Sequence, residues 1–278
     1  MWRKCFFLLL LVHLGGCVTQ KLDAGSQQPL LEPDFEPQEA ARTRIALGLN
    51  YLQKGDYVQA KFNLDKALNF APDLAEVHYS LAYYFQRVGE SAQAKNAYLA
   101  ALDIEPDNPD TLNNYGVFLC QQGDFSAAED NFRRAILQPS YLRVAESYEN
   151  LGLCALKVNN FYKSEKYLRH AIEHSPRRAS SLLNMSYINF AKSDLIGSQR
   201  FLEAFEKYHK ITEQSLGLAI QIALERKDKS KARSYGHLLL SLYPDSDAAR
   251  RFKTHTWQNS YANQLKRRYE QSQIKDAS

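Results

Sequence analysis

The chain has 278 residues, of which 45% are hydrophobic and 12% aromatic, too apolar for a disordered chain and enough for a substantial core. Its 12 Gly and 9 Pro favour helices over a turn-rich all-β architecture. The formal charge of +4 comes from basic residues spread along the chain, which is no nucleic-acid footprint.

The first residues read as a bacterial secretion signal over 1–16. Arg3 and Lys4 form a short basic region. Cys5 to Leu14 is an apolar run of ten residues, too short to span a bilayer stably. Leu14-Gly15-Gly16-Cys17 follows and resembles a lipobox, in which the Cys is acylated and becomes the first mature residue. Cys17 is therefore the expected lipidation site, and several acyl chains, at roughly 0.8 kcal/mol per buried methylene, would hold it to a membrane. Val18 stands after it, not Asp. By resemblance to enterobacterial sorting rules this favours the outer membrane, with the protein facing the periplasm. Residues 17–37 read as a tether, because Gly25, Ser26, Pro29, Pro33 and Pro37 interrupt any helical period.

From residue 41 the sequence repeats. Unit 41–74 carries Leu47, Gly48, Tyr51, Ala60, Leu64, Ala67 and Pro72. Unit 75–108 carries Leu81, Ala82, Phe85, Ala94, Tyr98, Ala101 and Pro106. Unit 109–142 carries Tyr115, Gly116, Leu119, Ala128, Phe132 and Ala135, with Pro139 one residue early. Two extra residues enter near Tyr141 to Val144. The register resumes in 145–178 with Leu151, Gly152, Ala155, Ser164, Leu168, Ala171 and Pro176. Unit 179–212 is weaker: Met185, Ser186, Asn189, Ser198, Leu202, Phe205, with Lys210 where Pro is expected. Unit 213–246 carries Ala219, Ala223, Ala232, Leu239 and Pro244, with Gly236 at a normally bulky position.

This 34-residue pattern resembles the tetratricopeptide repeat. The resemblance implies an all-α fold, a right-handed superhelix (solenoid) of about six helical hairpins over 38–246. Small residues such as Gly48, Ala82, Gly116 and Gly152 let helices approach closely. Gly55-Asp56, Gly89-Glu90, Gly123-Asp124 and Asn159-Asn160 supply the turn within each hairpin. One hairpin cannot bury its own apolar face, so neighbours must stack. Residues 247–278 are expected to form a polar capping helix and tail.

The first helix of each hairpin lines the concave side of such a stack. Tyr79, Tyr83, Asn114, Val117, Asn150, Leu153, Asn184 and Tyr187 are the expected protein-binding groove, and Phe190 faces it too. Asn114, Asn150 and Asn184 share one register and could bind an extended backbone. Asn is also frequent there in any such repeat, and both readings stand. The apolar members form a partner-binding stripe, or part of the row belongs to the core.

No catalytic constellation is legible, so the chain is read as a binding protein without cofactor or small-molecule substrate. His170 and His174 lie four apart in H-A-I-E-H, which is not the H-E-x-x-H zinc pattern. Cys120 and Cys154 fall on apolar faces and are expected to be small buried thiols; their spacing does not argue for a periplasmic disulfide.

Ala41 to Tyr57 (ARTRIALGLNYLQKGDY), Leu112 to Phe125 (LNNYGVFLCQQGDF) and Glu149 to Leu156 (ENLGLCAL) resemble the type IV pilus biogenesis lipoprotein family, PilF/PilW. The resemblance covers essentially the whole mature chain and is weakest in units five and six. It implies a pilotin, which rides to the outer membrane on its lipid and helps the secretin subunit localise and multimerise, supporting pilus formation and twitching motility. The secretin is then the expected partner. The alternative is an adaptor lipoprotein for cell-wall synthases or hydrolases, which would share the anchor and the repeats.

Overall fold

The computed structural model describes residues 36–276, so the signal segment, Cys17 and nearly all of the tether lie outside the described residues. Six antiparallel hairpins follow in order: α1 (Pro37–Gln53) with α2 (Tyr57–Phe70), α3 (Ala75–Val88) with α4 (Ser91–Ile104), α5 (Pro109–Gln122) with α6 (Phe125–Ile136), α7 (Val144–Lys157) with α8 (Phe161–His174), α9 (Ala179–Ala191) with α10 (Leu195–Tyr208), and α11 (Glu213–Glu225) with α12 (Lys229–Leu242). Then come α13 (Asp247–Thr254), a 3-10 turn at Trp257–Asn259, and α14 (Tyr261–Asp276). Among the described residues there is no strand, and no helix is long and apolar enough to cross a membrane.

The turn is built the same way in five of the six hairpins; Glu90, before α4, makes no side-chain cap bond. The residue before the second helix accepts a hydrogen bond from a backbone N–H of the first turn: Asp56 from Gln59 (3.0 Å), Asp124 from Ala127 (3.1 Å), Asn160 from Lys163 (3.0 Å), Asp194 from Gly197 (2.9 Å) and Asp228 from Lys231 (3.0 Å). The residue just before that cap takes positive φ, in Gly55, Gly89 and Gly123 and then in Asn159, Ser193 and Lys227. The last two are L-residues without the local bonding that helps Asn there, so units five and six carry a strain the earlier units avoid.

Within a hairpin, a large residue on the second helix fills the hollow above a small one on the first. A Cβ added to Gly48 would come 2.9 Å from Leu64, on Gly116 2.8 Å from Phe132, and on Gly152 2.6 Å from Leu168. Leu64, Phe132 and Leu168 are essentially inaccessible to solvent, and burying such a side chain is worth roughly 1.5–3 kcal/mol. Unit six exchanges the sizes. Ile220 stands where the small residue is expected and is wholly buried, and Gly236 stands where the large one is expected. The ring of Phe252, from α13, occupies the space above Gly236. The bulk missing from α12 is thus supplied by the next helix, which docks α13 onto the end of the stack.

The two-residue slip after unit three has a structural use. α6 stops at Ile136, and Tyr141 turns inward from the following loop, packing with Leu112 and Ala135. Its hydroxyl lies 3.1 Å from Ser147 Oγ, and Ser147 in turn donates to Asn113 Oδ1 at 2.8 Å. Arg143 ends the loop between Asp110 (2.9 Å) and Glu146, and these carboxylates, Glu146 foremost, hold its guanidinium firmly charged.

Cys120 and Cys154 are not free thiols. They form a disulfide between α5 and α7, with Cα atoms 5.9 Å apart. This corrects the expectation of two separate buried thiols. By hairpin register Cys120 is equivalent to Leu156, not to Cys154. The pairing depends on the slip of two residues, which a strict repeat comparison hides.

Candidate partner-binding groove

The first helices of the hairpins lie side by side and present one register to the concave face. Its floor is the row Leu49, Tyr83, Val117, Leu153, Tyr187 and Gln221, one residue per unit. The row is open at one end and closed at the other. Leu49, Val117 and Leu153 are half-buried, and Tyr83 is 36% exposed, but Tyr187 falls to 7% and Gln221 to 5%.

α14 makes the difference. It folds back from the end of the stack onto α9 and α11. The rings of Tyr261 and Tyr187 meet edge to face at 4.9 Å. Ser260 Oγ donates to Gln221 Oε1 at 2.6 Å, and Asn263 Nδ2 donates to the same oxygen at 3.1 Å. Ala262 and Leu265 are fully buried in the cluster that contains Leu156, Tyr187, Phe190 and Ile222. Lys266 sits 5.8 Å from the Phe190 ring centre and 3.3 Å from Glu225. Arg268 reaches the end of α7, donating to Leu156 O at 2.6 Å and Asn159 Oδ1 at 2.5 Å. Tyr269 meets Phe161 edge-on. Beyond that point a cleft of about 590 Å³ opens between α14 and the α7–α8 turn, lined by Asn159, Tyr162, Lys192, Tyr269 and Gln273 among others.

The expected groove residues therefore fall into two groups. Tyr79, Tyr83, Asn114, Val117, Asn150 and Leu153 lie together in the open part. Tyr187 lies on the same floor but under α14; burial, with Tyr261 and Glu213 adding to it, pushes its phenol well above the usual range, and its hydroxyl donates to Gln214 O at 3.1 Å. Phe190 is only 1% exposed. Asn184 is half-buried near the boundary.

The three asparagines use their amide donors internally. Asn114 Nδ2 donates to Asp110 O (2.8 Å) and Tyr79 Oη (3.2 Å), Asn150 Nδ2 to Asn113 Oδ1 (3.1 Å), and Asn184 Nδ2 to Ser180 O (2.8 Å). Asn114 and Asn184 use both amide N–H groups within the stack and Asn150 uses one of its two, so what the row chiefly offers a ligand is its side-chain carbonyls. Behind them, Glu149 is 8% exposed and accepts from Arg178 (2.8 Å) and Ser181 (2.6 Å), a buried ion pair that ties the fourth hairpin to the fifth. The groove floor rests on such rigid ties, as a preorganised site requires.

Sequence reasoning did not foresee α14 on the groove. The signal was present in Ala262, Leu265 and Tyr269, spaced i, i+3 and i+7. It is a thin stripe in a segment whose other residues are mostly charged or amide-bearing.

Models of the tetratricopeptide repeat match residues 79–142, and again 41–74 and 145–177. The type IV pilus assembly protein PilF of Pseudomonas aeruginosa is 33% identical over 244 residues, spanning 88% of this chain and 95% of that protein. The chain belongs to the PilF family of tetratricopeptide-repeat proteins. The solved structure of Pseudomonas aeruginosa PilF superimposes on it with a TM-score of 0.70 at 31% identity, covering 79% of this chain and 99% of that one. The crystal structure of PilW, described as a widely conserved type IV pilus biogenesis factor, shares the fold with a TM-score of 0.69 at 22% identity, covering 76% of this chain and 96% of that one. In this PilF-family scaffold the concave face is a groove with a largely apolar floor and one end filled by its own helix.

Proposed function

We propose that this protein is an outer-membrane lipoprotein of type IV pilus biogenesis that holds the pilus secretin in its concave groove and promotes the secretin's localisation and multimerisation. The observation that carries the reading is family membership along nearly the full length of PilF, joined to an open apolar floor at Tyr83, Val117 and Leu153. An exposed apolar row on a rigid scaffold is costly unless something covers it, and a polypeptide partner is what a groove of this kind accommodates. Cys17 supplies the anchor, and the tether up to residue 37 lets the stack stand off the membrane while it meets its client.

The experiment removes the gene and follows secretin multimers in detergent-solubilised outer membranes. They should fall sharply and return on complementation; undiminished multimers at the outer membrane would sink the proposal. Cys17→Ala should leave the stack folded yet release it from the membrane, and a protein still sedimenting with the outer membrane would show that the lipid is not its anchor.

A further inference from the structure

We propose that α14 is a displaceable internal occupant of the groove, and that the partner segment which takes its place over Tyr187 and Phe190 is an amphipathic helix. This rests on the reading that the groove is where the partner is held, and adds what the groove accepts and how its closed end opens.

The closed end has the same construction as the open end. Tyr187 and Gln221 continue the row of Tyr83, Val117 and Leu153 at the same register, and nothing in α9 or α11 differs in direction. α14 lies on top, with Ser260 just before it bonded to Gln221. A site that is continuous in its floor but interrupted by the chain's own terminal element is filled by a substitute ligand.

Two apolar side chains and a set of polar contacts at the rim, Asn263 to Gln221 and Arg268 to Leu156 O and Asn159, hold that substitute in place. Among its described side chains only Ala262 and Leu265 are fully buried, and Tyr261 is 45% exposed. Lys266 and Glu225 form a partly solvated pair, with side chains 24% and 42% exposed, of a kind that contributes little net stability. The second half of α14 stands over the cleft beside the α7–α8 turn. A terminal helix joined to the stack at one end, with no hairpin partner of its own, opens more readily than the hairpins beneath, so it can leave without unfolding them.

The floor also selects the ligand's conformation. Tyr187, Phe190, Leu153 and Leu156 make the closed end largely apolar, the amide donors of Asn114 and Asn184 are engaged within the stack, and Asn150 uses one of its two. An extended segment would bring a row of backbone N–H and C=O groups onto a surface with few partners for them, at a cost for each one left unpaired. A helix satisfies its backbone internally and needs only an apolar stripe. α14 presents that stripe with Ala262, Leu265 and Tyr269, and places Lys266 against Glu225. The partner helix should carry small or apolar residues at i, i+3 and i+7, with a cation near the position of Lys266.

The test uses the full mature protein in detergent and the purified secretin of the same pilus system. Hydrogen exchange is followed in α14 with and without secretin, and affinity is measured for wild type, Leu265→Ala and Arg268→Ala, with circular dichroism confirming that both variants keep their helix content. Release of α14 should speed exchange across 261–276 on binding. Both variants should bind about tenfold tighter, because the competing internal occupant is weakened. Arg268→Ala stands independently if Leu265→Ala fails to fold. Unchanged or slowed exchange in α14, or variants that bind no tighter, overturns displacement while leaving the groove as a binding site. A protected secretin segment whose apolar residues alternate strictly, as in a strand, overturns the helix. Absence of binding by wild type and both variants removes the groove reading itself, and the displacement with it.

Discussion

Cys120 on α5 is bonded to Cys154 on α7, so the third and fourth hairpins are joined covalently across the point where the repeat slips. The bond closes a loop 34 residues long. By the loop-entropy argument such a closure stabilises the fold by about 3.8 kcal/mol. Cys120→Ala or Cys154→Ala, or a reductant added to the wild type, should lower stability by about 2–4 kcal/mol in urea denaturation. Reduction should have no further effect on either variant. A reductant that leaves the wild-type midpoint where it was would argue against the bond.

Gly236 is a test of register against structure. Restoring the large residue expected at that position, by Gly236→Leu, should destabilise, because the Phe252 ring already fills the space. The overpacking cost is about 1–3 kcal/mol. The paired variant Gly236→Leu with Phe252→Ala should recover part of the loss, measured as a double-mutant cycle in thermal unfolding. Additive losses would mean that the two side chains do not share one site.

Glu129, Lys163 and Tyr167 tie the third hairpin to the fourth, with Lys163 Nζ 2.7 Å and Tyr167 Oη 2.8 Å from the carboxylate. Burial works against ionisation of Glu129, but the hydrogen bonds from Lys163 and Tyr167 and the charge of Lys163 outweigh it and hold the carboxyl below its usual value. Its contribution is therefore present above the ordinary carboxylate pKa and is lost as pH falls through the lower folded value. Tyr167, buried and bonded to Glu129, is pushed up to about 12. Its contribution is present below the ordinary tyrosine pKa and is lost as pH rises toward that value. Because Lys163 is partly solvated, Glu129→Gln should cost only about 1 kcal/mol or less near neutrality. It should also flatten the acid limb of a stability-versus-pH curve; an unchanged acid limb would assign that limb to other carboxylates.

In the open groove, Tyr83→Ala and Val117→Ala should each weaken secretin capture by about tenfold, the scale of an interface anchor. Tyr83 is 36% exposed, so its replacement should shift the melting temperature little. Val58→Ala, at a 77% exposed side chain on α2 away from the groove floor, serves as the control and should bind like wild type. Equal loss at Val58 would move the docking surface off the concave face.

The repeat was legible in the sequence for a local reason. Small residues at Gly48, Gly116 and Gly152, large ones at Leu64, Phe132 and Leu168, and capping residues at Asp56, Asp124 and Asn160 are short-range requirements of one hairpin, and they recur in most units. Stacking then follows, because a hairpin alone leaves an apolar face in water. The resemblance of Leu112 to Phe125 and Glu149 to Leu156 to PilF was legible for the same reason: those stretches hold one hairpin's register and lie in its most regular part.

Three features depended on the tertiary structure, since each joins residues from different units. The disulfide pairs Cys120 with Cys154 only because Tyr141 absorbs the slip between α6 and α7 and shifts the two helices by two positions. Gly236 reads as a defect until Phe252 arrives from α13. Tyr187 shares the register of Tyr83, Val117 and Leu153, but its exposure is set by α14, whose stripe of Ala262, Leu265 and Tyr269 names no target on its own; Phe190 sits at the register of Leu52 and Leu156, which are buried as well. Sequence by itself determined the hairpins and the face each residue takes, because those depend on neighbours three or four residues away. Which part of that face stays open was decided by long-range packing of the terminal helix, where the free energy comes from burial against residues tens of positions distant.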